Sequence, residues 1–294
     1  MENLNYSFII PHKNSSELLK RCLDSIPNRD DLEIIVIDDN SNDINSVKEV
    51  VDGFQHAILK SNTGFGAGGA RNVGLDVACG KWIVFSDADD YFPPGFLTVL
   101  DKYLDSDVEI VYHKASSVDS ETYEPLPKFL NRHNGYLDGY NGSQYTTDLV
   151  KFKLHSPWWK MVRRDFLESH QIRFEEVAKG NDVFFTYQIG YYSKKIAVEK
   201  TPLYVHTYNK NGISFGKKNL SIRKGTLIQA YKVNKFYDFI NHPEWKKNIL
   251  YFFLEILKYD GVGLFLKVLF FFLKNHREIA KEKNQYVNSI SNRM

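Results

Sequence analysis

Short, nearly continuous apolar runs punctuate the first hundred residues: YSFIIP (6–11), LEIIVIDD (32–39), HAILKSN (56–62) and KWIVFSDADD (81–90). Between them the apolar residues recur every three or four positions, the spacing of one helix face. In NSSELLKRCLDSIP, Leu18, Leu19, Cys22, Leu23 and Ile26 make one stripe, Asn14 reads as the N-cap with Glu17 completing a capping box, and Pro27 stops the helix. SNDINSVKEVVDGF and GGARNVGLDVACG read as the second and third helices. Buried strands alternating with helices of this length predict an α/β fold, a Rossmann-like, mostly parallel sheet with helices on both faces. Ligands of such sheets bind beyond the carboxyl ends of the strands, which here carry His12-Lys13-Asn14, Asp38-Asp39 and Asp87-Ala88-Asp89-Asp90.

After Pro93-Pro94-Gly95 the pattern gives a helix, FLTVLDKYL, and a strand, VEIVYH; residues 114–150 read as loop. SPWWKMVRRDFLESHQIRF, KGNDVFFTYQIGYYS and the strand-like IAVEKTPLYVHTY follow. Beyond 217 the chain is apolar but interrupted by charges and glycines, and its longest apolar run, VLFFFL, is far short of the ~20 residues that cross a bilayer. It reads as a helical extension lying on a membrane surface or, equally, packed on the body or in a dimer contact.

Charge sharpens that division. Residues 217–294 carry 15 Lys/Arg against 6 Asp/Glu, while the first 216 carry 23 against 30. A basic tail on a mildly acidic body points to an anionic lipid partner and away from nucleic acid. The two cysteines, Cys22 and Cys79, read as small buried hydrophobes, and with no secretory leader apparent the expected location is the cytoplasm, peripheral to the membrane's inner face.

The block SNTGFGAGGARNVG raises a question of chemistry. Gly64, Gly66 and Gly69 have dinucleotide-loop spacing, and a nicotinamide oxidoreductase is the reading they suggest alone. The loop sits in the third βα unit, however, and Asp87, Asp89 and Asp90 follow it where one ribose-binding acid is wanted. Carboxylates so close repel one another beside a pyrophosphate, unless a divalent cation (Mn²⁺ or Mg²⁺) lies between them and the phosphates. Arg71 adds a further cation for a diphosphate.

FIIPHKN, EIIVIDDNSND, NTGFGAGGARNVGLDVACGKWIVFSDADDYFPP, SPWWKMVRRDFLESHQIRF and GNDVFF together resemble the GT-A-fold glycosyltransferases of family 2. The resemblance implies transfer of a sugar from a nucleotide diphosphate, UDP by expectation, to a glycan or lipid-linked acceptor. It implies donor contacts at Pro11, Asn14, Asp39, Asn62, Arg71 and Asp87, and metal ligation by Asp89 and Asp87, with His206 where some members place a ligand. Asp182 matches the general base, and Asn181 stands where the family usually has Glu. Trp158 and Trp159, with Asn181, are expected on the acceptor side, one tryptophan stacking on sugar and the other in the core. Residues 1–216 form the expected transferase domain (donor half 1–112, acceptor half 113–216), and 217–294 the tail. A non-catalytic nucleotide-sugar binder remains the other alternative.

Overall fold

The apolar runs become strands of one seven-stranded sheet in the computed structural model, which describes residues 4–177, 180–210 and 219–291. β1 (Tyr6–His12), α1 (Ser16–Asp24), β2 (Leu32–Asp38), α2 (Ile44–Asp52), β3 (Ala57–Ser61), α3 (Gly66–Val77) and β4 (Trp82–Phe85) alternate along the chain. β1 pairs in parallel with β2 and β4, and β2 with β3. Ile9, Ile10, Ile35, Val36 and Ile37 are wholly buried in consecutive positions, as strands covered on both faces must be.

The chain continues through α4 (Phe96–Leu100), β5 (Ile110–Asp119), α5 (Asn131–Asp138), α6 (Gln144–Lys153), β6 (Lys160–Arg163), α7 (Arg164–Ser169), α8 (Asn181–Tyr192) and β7 (Ile196–Tyr208). β6 lies antiparallel between β4 and β5, and β7 runs parallel to β5, giving the order β3-β2-β1-β4-β6-β5-β7. Successive units build outward from β1 through β2 to β3, and then β4 adds on β1's other side. The β1/β4 crevice is therefore the topological switch point, where such sheets bind ligands.

Three local readings are corrected. Residues 114–150 are not all loop: β5 runs on to Asp119, and α5 and α6 follow. Asn14 does not cap α1. The cap position is Ser15, while Asn14 stands in the left-handed region (φ 55°) and its Oδ1 accepts from the backbone N–H of Asn42 at 2.7 Å. A contact 28 residues away in sequence has displaced the local capping box. Cys22 is buried, but Cys79 is exposed, because α3 ends at Val77 and Cys79 lies in the connection that leads on to β4.

The chain divides into two compact units, Met1–Val177 with Asn181–Asn209, and Ala178–Gly180 with Lys210–Met294. The expected boundary at 216/217 falls outside the described residues. In the second unit α9 (Leu220–Phe239), α10 (Ile249–Tyr259) and α11 (Val262–Ser291) bury Leu227, Phe252, Phe253, Ile256 and Val268 together. Arg223 of α9 pairs there with Asp260, both largely buried. No helix among the described residues is long and apolar enough to cross a membrane.

Candidate active site

Pro11 lies two residues beyond the last β1–β4 pair, Ile9 with Phe85, at the mouth of the crevice. At the adjoining end of β2 the two acids part company. Asp38 turns inward and accepts from the Ser41 backbone N–H at 2.9 Å, the Ser41 hydroxyl and His12 Nδ1 at 3.1 Å. His12 Nε2 accepts the Ser15 N–H, so Nδ1 carries the proton. Burial would raise the Asp38 carboxyl, but these donors hold it below its usual range. Asp39 turns to the rim, where Asn62 Nδ2 donates to it at 2.6 Å and Lys13 Nζ lies 3.6 Å away. Asn62 also takes the Gly64 N–H on its Oδ1 at 2.9 Å and donates to the Gly66 carbonyl, so it shapes the glycine loop.

The glycines answer a packing need. A Cβ on Gly68 would stand 2.1 Å from the backbone oxygen of Glu175, and one on Gly64 would meet the Glu176 carboxylate at 2.8 Å. The Phe65 N–H, at the N-cap of α3, donates to Glu176 Oε2 at 2.9 Å. A helix N-terminus that would receive a pyrophosphate in a dinucleotide site already holds a carboxylate here. Gly64 and Gly68 answer the close passage of Glu175 and Glu176, Gly69 packs against Gly64, and Gly66 stands at a φ of 61°, so the glycine spacing gives the oxidoreductase reading no support.

Arg71, in the second turn of α3, gathers the site. It is 5% exposed, donates to Asp87 Oδ1 at 2.5 Å and to Asn181 Oδ1 at 3.0 Å, and stacks over Phe174 at 5.4 Å. Three motifs far apart in sequence meet on one guanidinium. The three acids after β4 have different fates. Asp90 is buried and accepts from Tyr204 Oη at 2.8 Å and the Thr207 N–H at 2.6 Å, tying the loop to β7. Burial and its acidic neighbours raise it well above a normal carboxyl. Asp89 opens to solvent, yet the protein packed round it and the Asp87 carboxylate push it up to about 6. Asp87 and Asp89 leave more negative charge on this rim than Arg71 neutralises.

His206 is half-buried, stacked on Phe129 (5.4 Å, 7°) and beside Trp158 (5.6 Å), with Ser117 Oγ 3.2 Å from Nδ1. Burial lowers its pKa, and Asp87 opposes this only in part. Among the described residues no three His, Cys, Asp or Glu side chains converge to hold a metal, so Asp87, Asp89 and His206 are not a preformed cage. Two carboxylates on an open rim instead match the chemistry of a hard cation that takes its remaining ligands from substrate phosphates and water. Trp158 and Trp159 are both buried, at 5% and 2% exposure, correcting the expectation that one faces a sugar. Pro157–Trp159 is a 3₁₀ turn, so the rings are not sent to opposite faces. They pack on each other, and Trp158 stacks on Tyr204.

Asp182 stands in the first turn of α8, next to the Arg71-bound Asn181. Burial raises its carboxyl; the positive charges of Arg71 and then Lys160 oppose the rise, and Asp87 adds to it. Sequence reasoning missed Glu176, Lys160 and Arg21. Arg21 of α1 donates to the Asp89 carbonyl and to Thr207 Oγ1 at 3.1 Å, between the rings of Tyr91 and Tyr123. Lys160 left a trace, a lone charge inside the apolar run WWKMV; Arg21 and Glu176 left none.

A family model described as Glycosyl transferase family 2 matches residues 7–170. The uncharacterized glycosyltransferase YibD of Escherichia coli is 27% identical over 268 residues, 85% of this chain and 77% of that protein. The GalNAc(5)-diNAcBac-PP-undecaprenol beta-1,3-glucosyltransferase of Campylobacter jejuni is 41% identical over 102 residues, 32% of either chain. Among solved structures, Staphylococcus aureus TarS in complex with UDP-GlcNAc aligns with a TM-score of 0.62 at 17% identity, over 98% of this chain and 82% of that one, a likeness of fold.

Proposed function

The chain belongs to glycosyl transferase family 2 and is a glycosyltransferase; on that premise we propose that it moves a sugar from a UDP-sugar to an acceptor hydroxyl with inversion. The observation that carries the reading is the Arg71 hub, which holds Asp87 and Asn181 together at the switch point with Asp182 beside them. Pro11, Asn14, Asp39, Asn62, Arg71 and Asp87 bind the nucleotide. Asp87 and Asp89 would hold a divalent cation, with His206 as a further donor. When bound, that cation stabilises the negative charge of the leaving diphosphate.

Asp182 takes the proton of the attacking hydroxyl. Its raised carboxyl is a stronger base than an exposed aspartate, and the charge of Arg71 opposes that rise. Asn181 suits this arrangement: its amide oxygen orients Arg71 without drawing off the guanidinium's charge, as a glutamate would. Residues 1–112 form the donor half and 113–216 the acceptor half, with Asn181 on the acceptor side.

The acceptor is a glycan carried on lipid, and the tail from 217 holds the enzyme at an anionic membrane. Two observations support this. The Campylobacter jejuni relative is named for an undecaprenol diphosphate-linked acceptor. Leu250, Leu254 and Leu257 of α10 and Val262, Leu266, Phe270 and Leu273 of α11 are exposed at helical spacing, with Lys258, Lys267 and Lys274 exposed among them.

Thermal shift with UDP, GDP and NAD, each with Mn²⁺ or EDTA, tests the donor reading. UDP with Mn²⁺ at 100 times its dissociation constant should stabilise by about 2.7 kcal/mol, and EDTA should remove the effect. Stabilisation by NAD regardless of metal would overturn the reading. With an active UDP-sugar identified, Asp182→Asn should keep UDP affinity and lose about 10²–10⁴-fold in transfer rate; full activity in that variant would refute the base assignment.

A further inference from the structure

Lys160 opens β6 and is wholly buried. Its Nζ donates to the Leu154 carbonyl at 2.6 Å and to Thr186 Oγ1 at 3.3 Å, and lies 5.7 Å from the centre of the Tyr112 ring. The Thr186 hydroxyl in turn donates to the His155 carbonyl at 2.6 Å. Lys160 therefore clamps the turn after α6 to α8. Among the described residues its ammonium forms no ion pair within 4 Å, although burying a cation on neutral acceptors is costly. What compensates is on α8. Thr186 follows Asp182 by four residues, one turn along the same face.

We propose that Lys160 is a positioning residue for Asp182: through Thr186 it fixes the first turns of α8, and it places a buried positive charge beside the helix face that carries Asp182 one turn away. The groups acting on Asp182 are Arg71 of α3, Lys160 of β6 and Asp87 after β4. Those beside Lys160 are Asp182 and, on β5, Tyr112 and His113. Burial keeps both β5 groups neutral, raising the Tyr112 phenol and lowering His113 to about 4. Asp182 is thus the negative charge Lys160 answers to. Burial pushes Lys160 down to about 7 and Asp182 up, and each charge opposes the other's shift. The link rests on Lys160 reaching Thr186, one turn from Asp182 on α8; its bearing on catalysis rests on Asp182 being the base.

Full-length protein carrying ¹³C at lysine Cε and aspartate Cγ tests the link by NMR titration, with Lys160→Met and Asp182→Asn supplying the assignments. Asp182→Asn should lower the Lys160 midpoint, and Lys160→Met should raise that of Asp182, each by about half a pH unit or more. Unchanged midpoints overturn the proposal. If Lys160→Met does not fold, the Asp182→Asn arm decides, because that change is near-isosteric and falls in the half-buried first turn of α8. Once a UDP-sugar is turned over, Lys160→Met should move the acid limb of kcat upward in pH. The sign follows because removing a positive charge makes the carboxylate easier to protonate. A lower kcat with the limb unmoved would mean packing alone and would also overturn the proposal. If every UDP-sugar is inert, the UDP donor reading falls, and the titrations still decide the Lys160–Asp182 link.

Discussion

Asp87, Asp89 and Asp90 follow one another within four positions, yet one is ion-paired with Arg71, one faces solvent and one is sealed against Tyr204 and Thr207. Their difference comes from neighbours, since a carboxyl's charge state follows desolvation, nearby charge and donors to its oxygens. The cysteines divide in the same way. Burial pushes the Cys22 thiol up to about 12, whereas Cys79 lies at the surface. Since thiolate and access govern reactivity, one thiol per chain should react with a maleimide in the native protein and two after unfolding. Labelling of Cys22 in the native protein would contradict its burial.

At the scale of elements, α3 is specified by close approach. Gly68 meets backbone of the 174–176 segment, which cannot retreat as a side-chain tip would, whereas Gly66 has open space but a φ of 61°. Gly68→Ala should therefore cost about 2–3 kcal/mol by overpacking, and Gly66→Ala only about 1–2 kcal/mol of left-handed strain. Denaturant unfolding of the two variants checks the order; equal losses would mean that the 174–176 backbone gives way to the added methyl at Gly68. Helix starts obey local rules where nothing competes, as at α2, where Asp43 accepts the Ser46 N–H at 3.1 Å. At α1 a competing loop contact wins.

For the molecule as a whole, charge and apolarity are segregated: an acidic body carries the site, and a basic, helical unit presents apolar residues outward. The proposed membrane contact should appear as co-sedimentation with vesicles containing phosphatidylserine. It should weaken as salt rises, because each lysine near an anionic surface contributes about 1 kcal/mol. Leu266→Glu with Phe270→Glu should abolish it. Self-association of the wild type without vesicle binding would assign the same face to a second copy of the chain.

Much of this was legible in the residues. Strands such as β2 and helices such as α1 announce themselves because side-chain burial repeats with period two or 3.6 or, between two layers, is unbroken. The acids at the strand ends and the Arg71-Asn72 block likewise marked the rim of a site. Residues 114–150 concealed two helices, because α5 and α6 have only weak apolar periodicity and take their stability from packing. Trp158 and Trp159 deceived because a 3₁₀ turn has no strand alternation. By itself the sequence determined the order of elements, the layer architecture and the chemical kinds of side chain at the strand ends, for these follow from local periodicity and residue type. Tertiary structure alone decided that Asp38 turns inward while Asp39 meets Asn62 at the rim, that Gly68 yields to Glu175, that Arg71 joins Asp87 to Asn181, and that buried Lys160 reaches Thr186, one helical turn from Asp182. Those are meetings of residues 16 to 110 positions apart, set by the sheet's strand order and by packing density, which no local pattern encodes.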